Sequence, residues 1–235
     1  MGITYNPRIV TDGLVLALDA GNTKSYPGSG TTWTDLSGNG NNGTLVNGVG
    51  YDSGNGGALT FDGVNDYVNF NSFNFGNELT VFCFVRPSSI DNIQSIFANT
   101  AGGNTTNGIK LFLNNYITNS RSIRIEVGNG TSGGTYVVSP QNTITYDIWQ
   151  QVAFTLDKTT AIGSVYYNGI SVGTNTLGIT NYNSNAAFRL GTFTDNQFPY
   201  KGRVSNYVLY NKALTASESN KTLMHSEGDS DLKSS

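Results

Sequence analysis

Ala58-Leu-Thr-Phe-Asp-Gly-Val-Asn-Asp-Tyr-Val-Asn-Phe70 is the stretch whose reading decides the fold. Two short β-type runs, residues 58–61 and 67–70, flank the polar link Asp62-Gly63-Val64-Asn65-Asp66. Asp-Gly and Asn-Asp supply residues that tolerate positive φ and bond their own backbone, so the link predicts a tight reversal between strands.

The same grammar extends both ways along the chain. Upstream, Leu14-Val-Leu-Ala-Leu-Asp19 is a nearly continuous apolar run and predicts a buried strand ending in a turn. A Gly/Ser/Asn-rich excursion over residues 21–57 follows, with Trp33 and Leu36 expected to pin it to the body. Downstream, Glu78-Leu-Thr-Val-Phe-Cys-Phe-Val-Arg-Pro87 puts Leu79, Val81, Cys83 and Val85 on one face and Phe82 and Phe84 on the other. Apolar residues on both faces require cover on both, and Pro87, which has no N–H to donate, ends the strand. Shorter strands are predicted at 94–98, 109–113 and 122–127. Residues 149–156 alternate, with Val152, Phe154 and Leu156 on a shared face. Asn168-Gly169 then joins strands at 162–167 and 170–173, because both central positions of a type I′ turn need positive φ. The last strands are 188–190 and 201–210, and Thr215 with Glu218 forms a capping box at the head of a short C-terminal helix.

Four phrases, taken in order, carry a family resemblance. They are W-x-D-L-S-G-N-G-N-x-G-x-L from Trp33 to Leu45 and L-x-F-D-G-x-x-D-Y-V from Leu59 to Val68. Then come W-x-x-V-A-x-T-x-D from Trp149 with Y-x-N-G from Tyr166, and Y-N-x-A-L-T-x-x-E from Tyr210. Together they resemble the laminin-G-like, concanavalin A-like jelly rolls, in particular a subset from phage and bacterial surface proteins. The resemblance implies an all-β antiparallel sandwich with one short C-terminal helix. We expect a single domain over residues 1–225 and a flexible polar tail over 226–235.

Composition narrows the function. Charged residues are 12% of the 235, about half the usual share, and polarity comes from Asn, Ser, Thr and 29 Gly. Net charge is −3 and the 13 basic residues are scattered, which gives nucleic-acid binding little electrostatic support. No apolar stretch reaches the ~18 residues of a membrane helix. The N-terminus lacks the basic and apolar regions of a secretory signal, so we expect folding in the cytosol that made the chain. Cys83, the one cysteine, is expected to be buried and inert.

Glycoside hydrolysis needs two carboxylates across one bond, and the chain has four Glu: Glu78, Glu126, Glu218 and Glu227. Glu218 caps the helix, Glu227 sits in the tail, and the E-x-D-x-x-E strand motif of the fold's glucanases is missing. His225, the one histidine, falls at the end of the C-terminal helix with no nucleophile to serve. We therefore expect a protein that is not an enzyme. Calcium is the expected cofactor if there is one. Asp62, Asn65 and Asp66 offer three oxygen-bearing side chains within five residues, and Asp19 and Asn22 two more. The same side chains serve equally well as Asx-turn acceptors. Relatives with an acidic I-D-E stretch in the last long strand differ here, where Val204-Ser205-Asn206 stands.

The first functional expectation is a virion structural protein: a phage capsid decoration, head-fibre or tail-associated protein, homo-oligomeric, with a trimer favoured. Its partners would be capsid or other virion proteins, and its location the virion. The alternative is a carbohydrate-binding or adhesion module at the cell surface, recognising glycans through aromatic platforms. Trp33, Tyr51, Tyr116, Tyr182 and Phe198 are the platform candidates.

Overall fold

The computed structural model describes residues 10–72, 74–89, 92–102, 107–116, 120–128, 134–178, 186–215 and 218. The strands form two antiparallel sheets packed face to face. Sheet A is built from β1 (Leu14–Asp19), β4 (Gly50–Asp52), β5 (Ala58–Asp62), β7 (Glu78–Pro87), β12 (Gln150–Asp157), β13 (Ile162–Tyr167), β14 (Ile170–Thr176) and β16 (Lys201–Tyr210). Its order is β14-β13-β12-β7-β16-β5-β4, with β1 also on β16. Sheet B holds β2 (Thr32–Trp33), β3 (Gly43–Val46), β6 (Tyr67–Phe70), β8 (Gln94–Ala98), β9 (Gly108–Leu113), β10 (Ile123–Gly128), β11 (Thr135–Val138) and β15 (Phe188–Leu190). Its order is β11-β10-β9-β8-β15-β6-β3-β2. The sandwich expected from the sequence is the observed one.

The period of two in each strand builds the core. Leu79, Val81, Cys83 and Val85 of β7 point inward, as do Val152, Phe154 and Leu156 of β12, and all are buried in one cluster between the sheets. Aromatic rings run through its middle: Phe70 stacks on Phe188 with centroids 4.4 Å apart, and Phe97 meets Phe188 at 5.0 Å. Burial removes Cys83 from chemistry and holds its thiol well above the usual range. The second face of β7 is covered as required: Phe82 is buried with Ala153, Tyr210 and Leu214, and Phe84 stacks on Trp149 at 5.5 Å.

Strand β16 is the axis of sheet A. One flank pairs with β7 along nearly its full length. The other is divided between β5, from Lys201 to Val204, and β1, from Asn206 to Tyr210. A register shift between Val204 and Asn206 marks the junction. There the Ser205 carbonyl accepts the Ala20 N–H, and the Ser205 hydroxyl donates to the Gly57 carbonyl.

Three readings of the sequence change. The Asp62–Asp66 link is not a reversal within one sheet. It carries the chain from β5 in sheet A to β6 in sheet B. Leu36 does not pin the 21–57 excursion: it is exposed, whereas Trp33 is wholly buried. Asp35 does the pinning, through the Ala17 N–H at 2.9 Å, while Ser37, Asn39 and Asn41 all donate to the Val15 carbonyl. The loop thus satisfies the edge of β1 that no strand covers. Strands β2, β3, β4 and β11, unforeseen, are all short: none exceeds four residues.

The hairpin at Asn168-Gly169 is as expected, with φ of 47° and 77°. So is the capping box. The Glu218 carboxylate accepts the Thr215 N–H at 2.9 Å, and the Glu218 N–H donates to the Thr215 hydroxyl. The rest of the expected C-terminal helix, His225, Glu227 and the tail lie outside the described residues.

Candidate functional site

Strand β10, Ile123-Arg-Ile-Glu-Val127, alternates apolar and charged residues, and β9, Ile109-Lys-Leu-Phe-Leu113, sets Lys110 and Phe112 at its alternate positions. The isoleucines, Leu111, Leu113 and Val127 fill the core. Alternation then sends Lys110, Phe112, Arg124 and Glu126 to the outer face of sheet B. The β9–β10 register sets Glu126 directly opposite Lys110, and β10–β11 sets it opposite Tyr136.

Glu126 is the hub. Lys110 Nζ approaches one carboxylate oxygen at 2.8 Å, and both side chains are 0% exposed. Arg124 donates to the other from Nη2 at 2.8 Å and Nε at 3.1 Å, and the Tyr116 hydroxyl donates to it at 3.3 Å. Burial, then the Glu126 charge, push the Tyr116 hydroxyl up to about 12. Tyr116 therefore stays a donor across the physiological range.

Aromatic rings frame the Arg124 guanidinium. Its carbon lies 3.7 Å from the Tyr136 ring centroid, 5.0 Å from Tyr116 and 5.9 Å from Phe112. Its Nη1 donates to the Asn115 side-chain oxygen at 2.7 Å. Tyr116 is 53% exposed and Tyr136 43%, so both rings show apolar surface to solvent. Tyr116 also has φ of 47°, a conformation that bulky residues avoid. The result is a platform of two exposed rings clamped to a cation, with a side-chain amide beside it. Such a surface stacks on the C–H faces of sugars and hydrogen-bonds their hydroxyls.

Of the platform candidates named from the sequence, Tyr116 belongs to this surface. Trp33 is buried in the core, Tyr51 packs on Tyr26 at 5.3 Å, and Phe198 sits edge-on to Phe193 at 5.1 Å; these are anchors. Tyr182 lies outside the described residues. Tyr136, Arg124 and Lys110 escaped the sequence reading. For Arg124 and Lys110 the one signal was charge set in otherwise apolar strands, and for Tyr136 there was none.

The calcium candidates stand at the A-to-B crossing. Asp62 Oδ1 accepts the Val64 N–H at 2.7 Å, and Asp66 Oδ2 accepts the Asp62 N–H at 3.0 Å. Asn65 is exposed, and its carbonyl accepts from the Asn47 side chain. Asp66 is 3% exposed, its Oδ1 has no hydrogen-bond partner, and burial holds its carboxyl above the usual range. Asp19 Oδ1 and Asn22 Oδ1 serve turns of their own. Among the described residues no three His, Cys, Asp or Glu side chains gather as metal ligands. The set is thus an Asx-turn cluster with one buried spare carboxylate oxygen, against the six to eight oxygens calcium takes.

The two described strand glutamates are far from forming an acid pair. Glu78 is on sheet A and accepts the Ala213 N–H, while Glu126 is on sheet B within its ion pairs.

Residues 62–218 match the family model described as the concanavalin A-like lectin/glucanases superfamily. The chain belongs to that superfamily. No curated protein matches it. Among solved structures, this superfamily member is similar to domain 4 of AbnA, a GH43 extracellular arabinanase from Geobacillus stearothermophilus, in complex with arabinotriose. The identity is 20% and the TM-score 0.65, over 89% of this chain and 96% of that one. The botulinum neurotoxin serotype D ligand binding domain in complex with N-acetylneuraminic acid gives a TM-score of 0.70 at 14% identity, over 93% and 52% of the two chains. The binding domain of Paraclostridial Mosquitocidal Protein 1 gives 0.68 at 16% identity, over 93% and 53%. This chain spans about half the length of the two toxin domains. At such identities the likeness is one of fold.

Proposed function

We infer that this superfamily member is a non-catalytic carbohydrate-binding module whose ligand surface is the Tyr116–Arg124–Tyr136 platform. The carrying observation is the exposure of two tyrosine rings packed on the Arg124 guanidinium of a buried ion-pair hub. Such packing matters because a pre-ordered ring loses little entropy on binding. The sugar-bound neighbours of the same fold support the reading. Glycan binding, the second expectation from the sequence, thereby takes precedence over the virion role. A glycan array is the test: retention lost on Tyr136→Ala with folding intact supports the reading, and a blank array for the native protein removes it.

Calcium at Asp62, Asn65 and Asp66 is a separate proposal, supported by the buried unpartnered Asp66 Oδ1 alone. Calcium titration by calorimetry tests it, and silence there removes it.

A further inference from the structure

One rung of residues crosses all eight strands of sheet B on its outer face. Thr32 pairs with Thr44, Thr44 with Asn69, and Asn69 with Arg189. Arg189 pairs with Ala98, Ala98 with Lys110, Lys110 with Glu126, and Glu126 with Tyr136. The register is unbroken along this line. All the apolar neighbours of these residues within their strands point into the core, so the rung is polar save for Ala98.

The middle of the rung is covered and its two ends are open. Phe193 packs on Phe112 at 5.9 Å and lies 5.9 Å from Lys110 Nζ, burying the centre. At one open end stand Tyr136 and the Arg124 clamp. At the other, Thr32 and Thr44 are exposed and Asn69 is half-buried. There the Arg189 guanidinium carbon sits 4.3 Å from the Tyr67 ring centroid. Both hydrogen bonds of Arg189 leave from Nη1, to the Asn196 side chain at 2.7 Å and the Phe193 carbonyl at 3.4 Å. The same device, a cation laid on a tyrosine ring, thus recurs at both ends. Arg189 on β15 and Arg124 on β10 are three strands apart, about 14 Å at the usual ~4.8 Å spacing.

On this face Lys110 and Glu126 are both 0% exposed and cancel one another, which leaves the Arg124 and Arg189 guanidinium groups, each laid on a tyrosine ring, as the cations offered to a ligand. Asp195, on the cover between the two ends, is an anion that a crossing ligand meets. Its oxygens already accept the Gly102 and Gln197 N–H groups. We propose that the outer face of sheet B is a track for an extended acidic polysaccharide, with cation–ring anchors at Arg124/Tyr136 and Arg189/Tyr67. The proposal rests on the carbohydrate-binding reading and adds the ligand's charge, its length and the second anchor. Two weak anchors on one chain reinforce each other through effective concentration, so affinity must climb once an oligomer spans both.

Calorimetry with galacturonate oligomers from two to twelve sugars, beside neutral arabinan and glucan oligomers of equal length, tests this. The expected result is affinity for the acidic series that rises steeply with length and falls with added salt. Arg189→Gln should cost about tenfold or more on oligomers that span both anchors, and progressively less on shorter ones. Arg189→Lys, which keeps the charge and loses the planar stack, should fall between. Circular dichroism confirms that each variant is folded. Neutral oligomers binding as well as acidic ones, or a length dependence untouched by Arg189→Gln, would overturn the track and leave the module standing. Binding of no carbohydrate at all would remove both. Tighter, Arg189-dependent binding of a single-stranded oligonucleotide would overturn the polysaccharide in favour of nucleic acid.

Discussion

Asp35 Oδ1 accepts the backbone N–H of Ala17 at 2.9 Å, a buried contact between residues 18 positions apart. The same carboxylate accepts the Ser37 and Asn41 N–H groups and the Ser37 hydroxyl. A side chain here does what a neighbouring strand would do for β1. The phrase D-L-S-G-N-G-N is therefore an edge-strand plug, and its work is structural.

Asp35→Ala should leave the buried Ala17 N–H unmet, at a cost of about 1–3 kcal/mol. In a chain of this size that corresponds to roughly 2–4 °C of melting temperature per kcal/mol. Glycan binding at the distant platform should survive. Thermal denaturation followed by circular dichroism checks the first point, and calorimetry the second.

Glu126→Gln should be more damaging than any surface charge removal, because Lys110 is left buried without its anion. Breaking such a pair costs about 3–5 kcal/mol. The double variant Lys110→Met, Glu126→Gln should recover part of that loss. Urea denaturation of the two single variants and the double variant gives the coupling, and strictly additive losses would refute it.

Tyr116 should titrate far above an ordinary tyrosine, near 12. The folded state then holds its proton after the unfolded chain, at about 10, has released it. Stability from this group is complete below pH ~10 and is lost as pH rises toward 12. Ultraviolet titration of native protein against Tyr116→Phe should reveal one missing late-ionising tyrosine. In Glu126→Gln the transition should move down, since the carboxylate charge is gone, while burial keeps it above 10.

Gly169→Ala should destabilise the β13–β14 hairpin, because the glycine holds φ of 77° in a turn that needs both central residues left-handed. A cost of about 1 kcal/mol is expected for a residue with Cβ in that conformation. Chemical denaturation measures it, and no change would mean the turn adopts another form.

Asp66→Asn should stabilise at neutral pH. Burial raises the carboxyl, so the folded state favours the proton and stability falls as pH climbs through the acid range. An amide oxygen can still accept the Asp62 N–H. Melting curves from pH 4 to 8 should show a flatter profile in the variant. If calcium occupies the site, the same change should abolish calcium-induced stabilisation.

The fold was legible because strand alternation is strong where both partners are long. Glu78–Pro87, Lys201–Tyr210 and Leu14–Asp19 are read to the residue. Period-two patterns tell which residues share a face, but not which sheet a strand joins. Hence the link after Phe61 passed for a reversal when it crosses the sandwich. Strands of two to four residues, such as Thr32–Trp33 and Gly50–Asp52, are too short to show a period. The candidate face was less legible for a related reason. Nothing in the sequence joins Lys110 to Glu126, and only the register that sets them opposite one another, under Phe193, makes them a buried hub. Tyr136 stands on β11, a strand the alternation does not reveal.

Strand β16 follows every other described strand in the chain, yet it is the seam that joins β1, β5 and β7. A growing polypeptide therefore emerges with sheet A in separate pieces, β14-β13-β12-β7, β5-β4 and β1, which join only when residues 201–210 have left the ribosome. Such long-range pairing slows folding and leaves apolar edges bare meanwhile. Synthesis of this protein thus includes an obligatory wait, during which helper chaperones or a slow-growth temperature would decide the yield.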